Sequence, residues 1–229
     1  MAQRKLGRIV LATALLLAGG QSAVAQYKAE KVTAAPPQEL APAVREVLDS
    51  SAIRVVGPEG ALCEVWLRKE VPARATPEQM LGVSYGDFSE GTLFGVIRFL
   101  QEAKDYRRQA VKPGVYTLRF ALLLVDGNHM GVSPNRDYFL LSPAADDTGV
   151  AALAPQELYG LSRKASGTSH PSIWSLTPPE SAPAGLPAML HHAEENHWIL
   201  LFEVNAKPEG APAKKVTMGL VVVGSAPEA

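Results

Sequence analysis

The chain has 229 residues, 47% of them hydrophobic and 20% charged, with 22 Lys and Arg against 23 Asp and Glu. A near-neutral balance without a basic run excludes a nucleic-acid or anionic-membrane surface built on bulk charge. The single cysteine, Cys63, excludes an intrachain disulfide.

Residues 1–25 read as an export signal. Arg4, Lys5 and Arg8 open it, Ile9 to Ala18 form an apolar run too short to span a bilayer comfortably, and Ala23 and Ala25 predict cleavage before Gln26. No cysteine ends the run, which argues against a lipid anchor, and Arg4 is followed by lysine rather than a second arginine. The segment takes three basic and no acidic residues, leaving 19 basic against 23 acidic, a net charge of −4. No later apolar stretch reaches membrane-spanning length, so no transmembrane anchoring is expected after cleavage.

Residues 26–50 are expected to be a flexible lead-in followed by a short helix. Residues 26–36 offer little to pack, whereas Leu40, Val44, Val47 and Leu48 fall at helical spacing, with Pro42 in the first turn. From Ala52 the period becomes alternating. "AIRVVG", "GALCEVWLRKEV", "MLGVSYGDF" and "GTLFGVIRFLQEA" give strand-length runs, the last assigned by Gly95 and the β-branched pair Val96–Ile97. Cys63 lies on the more apolar face of its run and reads as a buried, inert thiol. On the other face, Trp66 between Glu64 and Arg68 is a candidate contact if that face is open, or else the cover of the sheet's second side.

Gly82-Val83-Ser84-Tyr85-Gly86 matches the G-x-S-x-G pattern of serine hydrolases. That chemistry needs a strand-to-helix turn above a parallel sheet, and the glycine-rich sequel does not supply a helix. The clearest strand is "GVYTLRFALLLVD", with Tyr116, Leu118, Phe120, Leu122 and Leu124 on one face and Thr117 and Arg119 on the other. Asp126-Gly127-Asn128 then signals a tight turn, and His129, Arg136 and Asp137 flank the loop back into "RDYFLLSP". Arg136 and Asp137 could form a surface ion pair and His129 could cap the turn, but tight turns do not require histidine, so this loop is the candidate site. "YGLSRKAS" reads as a further strand. In "SGTSHPSIW", Pro171 holds His170 extended behind a cluster of Ser166, Thr168 and Ser169, which also suits a capped turn.

"SIWSLTP", "HWILLFEVN" and "KKVTMGLVVVG" are the remaining strands, and the Pro-rich Leu176–Pro187 stretch is an exposed excursion between them. "LHHAEENHW" groups His191, His192, Glu194, Glu195 and His197 without HExxH spacing, so a polar turn is the expectation over a metal site.

Short strands, frequent turn signals and few helical stretches predict an all-β fold: one antiparallel β-sandwich over residues 51–224, Ig-like or jelly-roll-like, with a tail at 225–229. Its core should hold Val65, Leu67, Tyr116, Leu118, Phe120, Leu122, Trp198, Leu200, Phe202, Met218 and Leu220. The run "VKPGVYTLRFALLLVDGNHMGVSPNRDYFLLSPAADD" and the later "SGTSHPSIWSL" resemble a group of exported bacterial proteins. "QAVKPGVYTLRF" is similar to the G-x-Y-x-L strand of a secreted β-sandwich domain of unknown function. The resemblance implies export and an all-β fold and carries over no catalytic residue.

The resulting expectation is a non-enzymatic binding or structural module of the periplasm, cell envelope or extracellular space, with no cofactor and with a ligand or envelope protein as partner. Its binding residues would be Asp126, His129, Arg136, Asp137, His170 and Trp66. The alternative is a metal-dependent hydrolase holding a divalent ion on His129, His170 and Asp126. Both need His129 and His170 to meet at one end of the fold. That follows if the strand before His129 and the strand after His170 are antiparallel neighbours or face each other across the core.

Overall fold

The computed structural model describes residues 26–124, 135–181 and 183–227. In chain order its first half comprises β1 (Lys28–Thr33), α1 (Pro42–Val47), β2 (Ser51–Gly57), β3 (Gly60–Leu67), β4 (Val71–Ala73), β5 (Leu93–Phe99), β6 (Ala103–Lys104) and β7 (Ala110–Val111). The second half adds β8 (Gly114–Leu122), β9 (Asp137–Pro143), α2 (Pro155–Ser166), β10 (Ile173–Ser175), β11 (Ala188–His192), β12 (His197–Pro208) and β13 (Lys214–Val223).

The architecture is mostly β, with antiparallel pairing throughout except at β4. A seven-stranded sheet has the order β1-β2-β3-β5-β8-β9-β10. A second sheet has the order β11-β12-β13, with β4 added parallel to β12. Side chains from both sheets meet in one apolar core, where Val65, Ile97, Leu118 and Phe120 join Leu200, Phe202, Met218 and Leu220. The alternation read along the sequence selects these residues because successive strand side chains point to opposite faces. The expected core is buried except Leu67 and Leu122, which are partly buried and pack against it.

The outer face of the seven-stranded sheet is covered too. Residues around α1 lay Leu40, Val44 and Leu48 over Trp66, Leu93 and Val96. Pro42 occupies the first turn of α1, as its spacing predicted. Farther along, α2 sets Leu158 on Ala121 and Leu140.

Three sequence expectations need correction. Residues 26–36 are not a loose lead-in, since β1 pairs along its whole length with β2. Its polar side chains hid it, because an edge strand is held by backbone bonds. "YGLSRKAS" is the body of α2, which has Pro155 in its first turn, Glu157 near the N-terminus, Arg163 and Lys164 in the last turn and left-handed Gly167 as its cap. "MLGVSYGDF" forms turns rather than a strand. There, a Cβ on Gly86 would stand 1.9 Å from the carbonyl oxygen of Glu78, so the close chain approach requires glycine.

One buried ion pair fastens the outer layer. Arg119 on β8 is fully buried, and its Nε and Nη2 donate to Asp147 at 2.6 and 2.7 Å. Nη1 donates to the carbonyls of Gly91 and Ala151, and Nη2 also donates to Gly149. All five guanidinium N–H groups are therefore used. The segment after β9 is tied across the sheet as a result.

Candidate functional site

Trp66 is 1% exposed, and its indole N–H donates to the carbonyl of Ala34 at 2.9 Å. It lies beneath the α1 layer and has no open face for a ligand, which corrects its reading as a contact residue. Asp126 and His129 lie outside the described residues.

Arg136 and Asp137 begin the return strand, and both hold backbone. Arg136 donates from Nε and Nη2 to the Leu123 carbonyl, each at 3.0 Å. Asp137 is buried, and its two oxygens accept the N–H groups of Ser84 and Tyr85 at 2.8 and 3.1 Å. Burial raises its carboxyl above the usual value, while those two bonds pull the other way. This pair of bonds fixes the Gly82–Gly86 turn and leaves Ser84 exposed, with no helix behind it. The turn lacks the strand-to-helix geometry of a serine nucleophile.

The histidine-rich segment is a hairpin. His191 and His192 lie on β11, with His191 stacked on Trp198 at 4.2 Å between centroids. Glu195 in the turn accepts from Nδ1 of His192 at 3.1 Å and faces Nδ1 of the buried His197 at 3.2 Å. Nε2 of His197 meets the Ser225 carbonyl at 3.0 Å. His192, Glu195 and His197 thus engage one another, whereas the buried Nε2 of His191 has no hydrogen-bond partner among the described residues. No three or more described His, Cys, Asp or Glu side chains are grouped to hold a metal ion. A cleft of about 450 Å³ lies beside them, floored by Ile199 and Leu201 and edged by Glu180 and Glu195.

His170 sits elsewhere. Its turn is capped as "SGTSH" suggested, with the Ser166 hydroxyl donating to the His170 carbonyl at 2.6 Å and the His170 N–H donating to the Thr168 hydroxyl at 3.0 Å. The expected strand geometry is corrected. β8 and β10 share one sheet with β9 between them, both antiparallel to it and therefore parallel to each other. Ile173 opposes Leu140, which in turn opposes Arg119, so β10 starts against the middle of β8. Even so, His170 and Leu122–Leu124 at the end of β8 line one groove of about 370 Å³. The His129 half of that expectation lies outside the described residues.

The groove runs over the outer face of β8, β9 and β10 beside α2. Ala121, Leu140 and Ile173 form its floor, and Arg107, Arg163 and His170 stand along it. No described lining residue is acidic. Burial and, after it, the charge of Glu90 raise the Tyr159 hydroxyl above its usual value, and Glu90 accepts the Leu122 N–H at 3.0 Å. Arg163 spends its Nε on the Ser169 carbonyl at 3.0 Å. The side chains of Arg107 and His170 make no hydrogen bond or ion pair with a described residue.

Asp105 shapes this rim. Its Oδ1 accepts the N–H groups of Arg107 and Gln109 at 2.9 and 2.8 Å, and its Oδ2 accepts Gln109 Nε2 at 2.7 Å and the Ile173 N–H at 3.2 Å. Burial nevertheless holds its carboxyl above the usual value, because desolvation outweighs the four bonds. Gln109 also donates to the Pro171 carbonyl at 3.0 Å and meets the Thr168 hydroxyl. The turn that carries Arg107 is thereby locked to the turn that carries His170. Sequence reading missed Arg107 because it follows a two-residue strand with no periodicity. The available signal was Asp105 itself, an acid that caps local N–H groups two and four residues on.

Comparison of the chain with protein-family models, curated proteins and solved structures gave no match.

Proposed function

We propose that this chain is an exported, non-enzymatic binding module of the envelope or extracellular space, built as a β-sandwich, with its ligand site in the groove beside α2. The observation that carries this reading is the groove itself: an apolar floor left open at the surface, with two polar rim groups, Arg107 and His170, whose side chains no bond from another described residue engages. Concave apolar sites with a few convergent polar groups are where small ligands bind. The core shared by two sheets supports the sandwich. The basic opening, short apolar run and Ala-x-Ala ending of residues 1–25 support export. The resemblance to secreted β-sandwich proteins of bacteria agrees with both.

The rival, a metal-dependent hydrolase on Asp126, His129 and His170, is disfavoured by the charge around His170. Arg107 and Arg163 line the same groove and repel a divalent cation. The test is a thermal-shift screen of small apolar ligands together with metal analysis of untagged protein. A ligand at about a hundred times its Kd adds about 2.7 kcal/mol of stability. We expect such a ligand, no stoichiometric metal, and loss of the shift in Ser169→Trp, which fills the groove mouth. One equivalent of bound metal with ester turnover would overturn the reading.

A further inference from the structure

We propose that the groove beside α2 takes a free single-chain anionic amphiphile, a medium-chain carboxylic acid, with its carboxylate on Arg107 and His170 and its chain along Ala121, Leu140 and Ile173. This rests on reading the protein as a binding module and names what that module holds.

Charge is the first argument. Among its described lining residues the groove has Arg107, Arg163 and His170 and no acid, whereas the cleft over β11 and β12 presents Glu180 and Glu195. An anion is drawn to the groove and not to the cleft. Arginine suits a carboxylate in particular, since its planar fork gives two parallel N–H bonds. Arg107 has that fork uncommitted among the described residues, and His170 stands on the turn that Gln109 ties to the Arg107 turn.

Shape is the second argument. The floor is built from β8, β9 and β10, so it is a rigid apolar bed rather than a loop surface. Leu122, Leu123 and Leu124 extend it past the end of β8, and Leu124 is exposed there. A volume of about 370 Å³ lies near the lower end of the ligand-pocket range, which fits one acyl chain and excludes a two-chain phospholipid.

Calorimetric titration of the protein with three twelve-carbon amphiphiles, below their micelle concentrations, separates the outcomes. Dodecanoate should bind, and dodecanol and dodecyltrimethylammonium should bind at least tenfold more weakly. Shortening the acid should cost about fourfold in affinity per methylene. Arg107→Gln should weaken dodecanoate at least tenfold and leave dodecanol unchanged, while Glu180→Gln, at the other cleft, should change neither. Equal binding of all three head groups would overturn the anionic assignment and leave the binding-module reading standing. Binding that Ser169→Trp does not touch would place the ligand elsewhere and overturn the assignment of this groove. Partition onto anionic phospholipid vesicles without binding of free dodecanoate would overturn it in favour of a membrane surface.

Discussion

Replacing Arg119 by methionine keeps a long apolar stem in the outer layer and removes the guanidinium. Asp147, 3% exposed, then keeps only the Thr117 hydroxyl at 2.5 Å and faces the interior as an unpaired charge. The carbonyls of Gly91, Ala151 and Gly149 lose a donor at the same time. Breaking a buried ion pair from one side costs about 3–5 kcal/mol, because the remaining charge keeps its desolvation penalty without its partner. For a domain of this size that corresponds to a fall in Tm of roughly 6–20 °C. Urea unfolding followed by tryptophan fluorescence measures the loss. The informative comparison is Arg119→Met with Asp147→Leu in one chain, which removes both charges and should cost clearly less than the two single changes added. A single-variant loss below about 1 kcal/mol, or strict additivity in the double, would show that the pair is solvated and that this account of the outer layer is mistaken.

Burial pushes the Cys63 thiol up to about 12, so a thiol reagent at pH 8 should label the protein only after denaturant is added. Fast labelling in the native state would count against its burial. Trp66→Ala should destabilise by about 3–5 kcal/mol through the cavity under α1, with no effect on ligand titrations; a loss of binding without a loss of stability would contradict its structural role. The raised carboxyl of Asp105 contributes stability that is full below the usual carboxylate range and is lost as pH rises through the folded value. The native protein should therefore gain stability relative to Asp105→Asn as the pH is lowered from 7 towards about 4, read from urea midpoints, and a native protein that instead loses stability relative to the variant over that range refutes the shift. Asp137→Asn offers Ser84 and Tyr85 only one acceptor, so hydrogen exchange should quicken at one or both of those amides.

The strands were legible where burial imposed an alternation. β8 and β12 announce themselves because Leu118 and Phe120, or Leu200 and Phe202, must reach the shared core on every second residue. α2 had all its punctuation in the sequence, yet its interior is mixed enough in polarity to pass for a strand, so Pro155 and Gly167 were the decisive residues. β1 is polar on both faces and could be found only through its partner. Arg119 looked like an outward-facing polar residue, and its five bonds go to groups far away in sequence, which no local pattern encodes. The groove was half visible. Pro171 and the serines marked the His170 turn, but Arg107 joins it only through Asp105 and Gln109.

The parallel pairing of β4 with β12 sets an order of assembly. Val71 registers with Ala206, and Pro208 with Ala73, so β4 waits for nearly the whole chain before it gains its neighbour. The chain passes directly from β3 in one sheet to β4 in the other, which makes this short strand the covalent strap between the layers. Until β12 arrives, the inner faces of β3, β5 and β8 have no opposite layer, and pairings this distant slow folding by their loop-closure cost. A chain cut before His197 should therefore collect as aggregate or be degraded, however well its first seven-stranded sheet could pair.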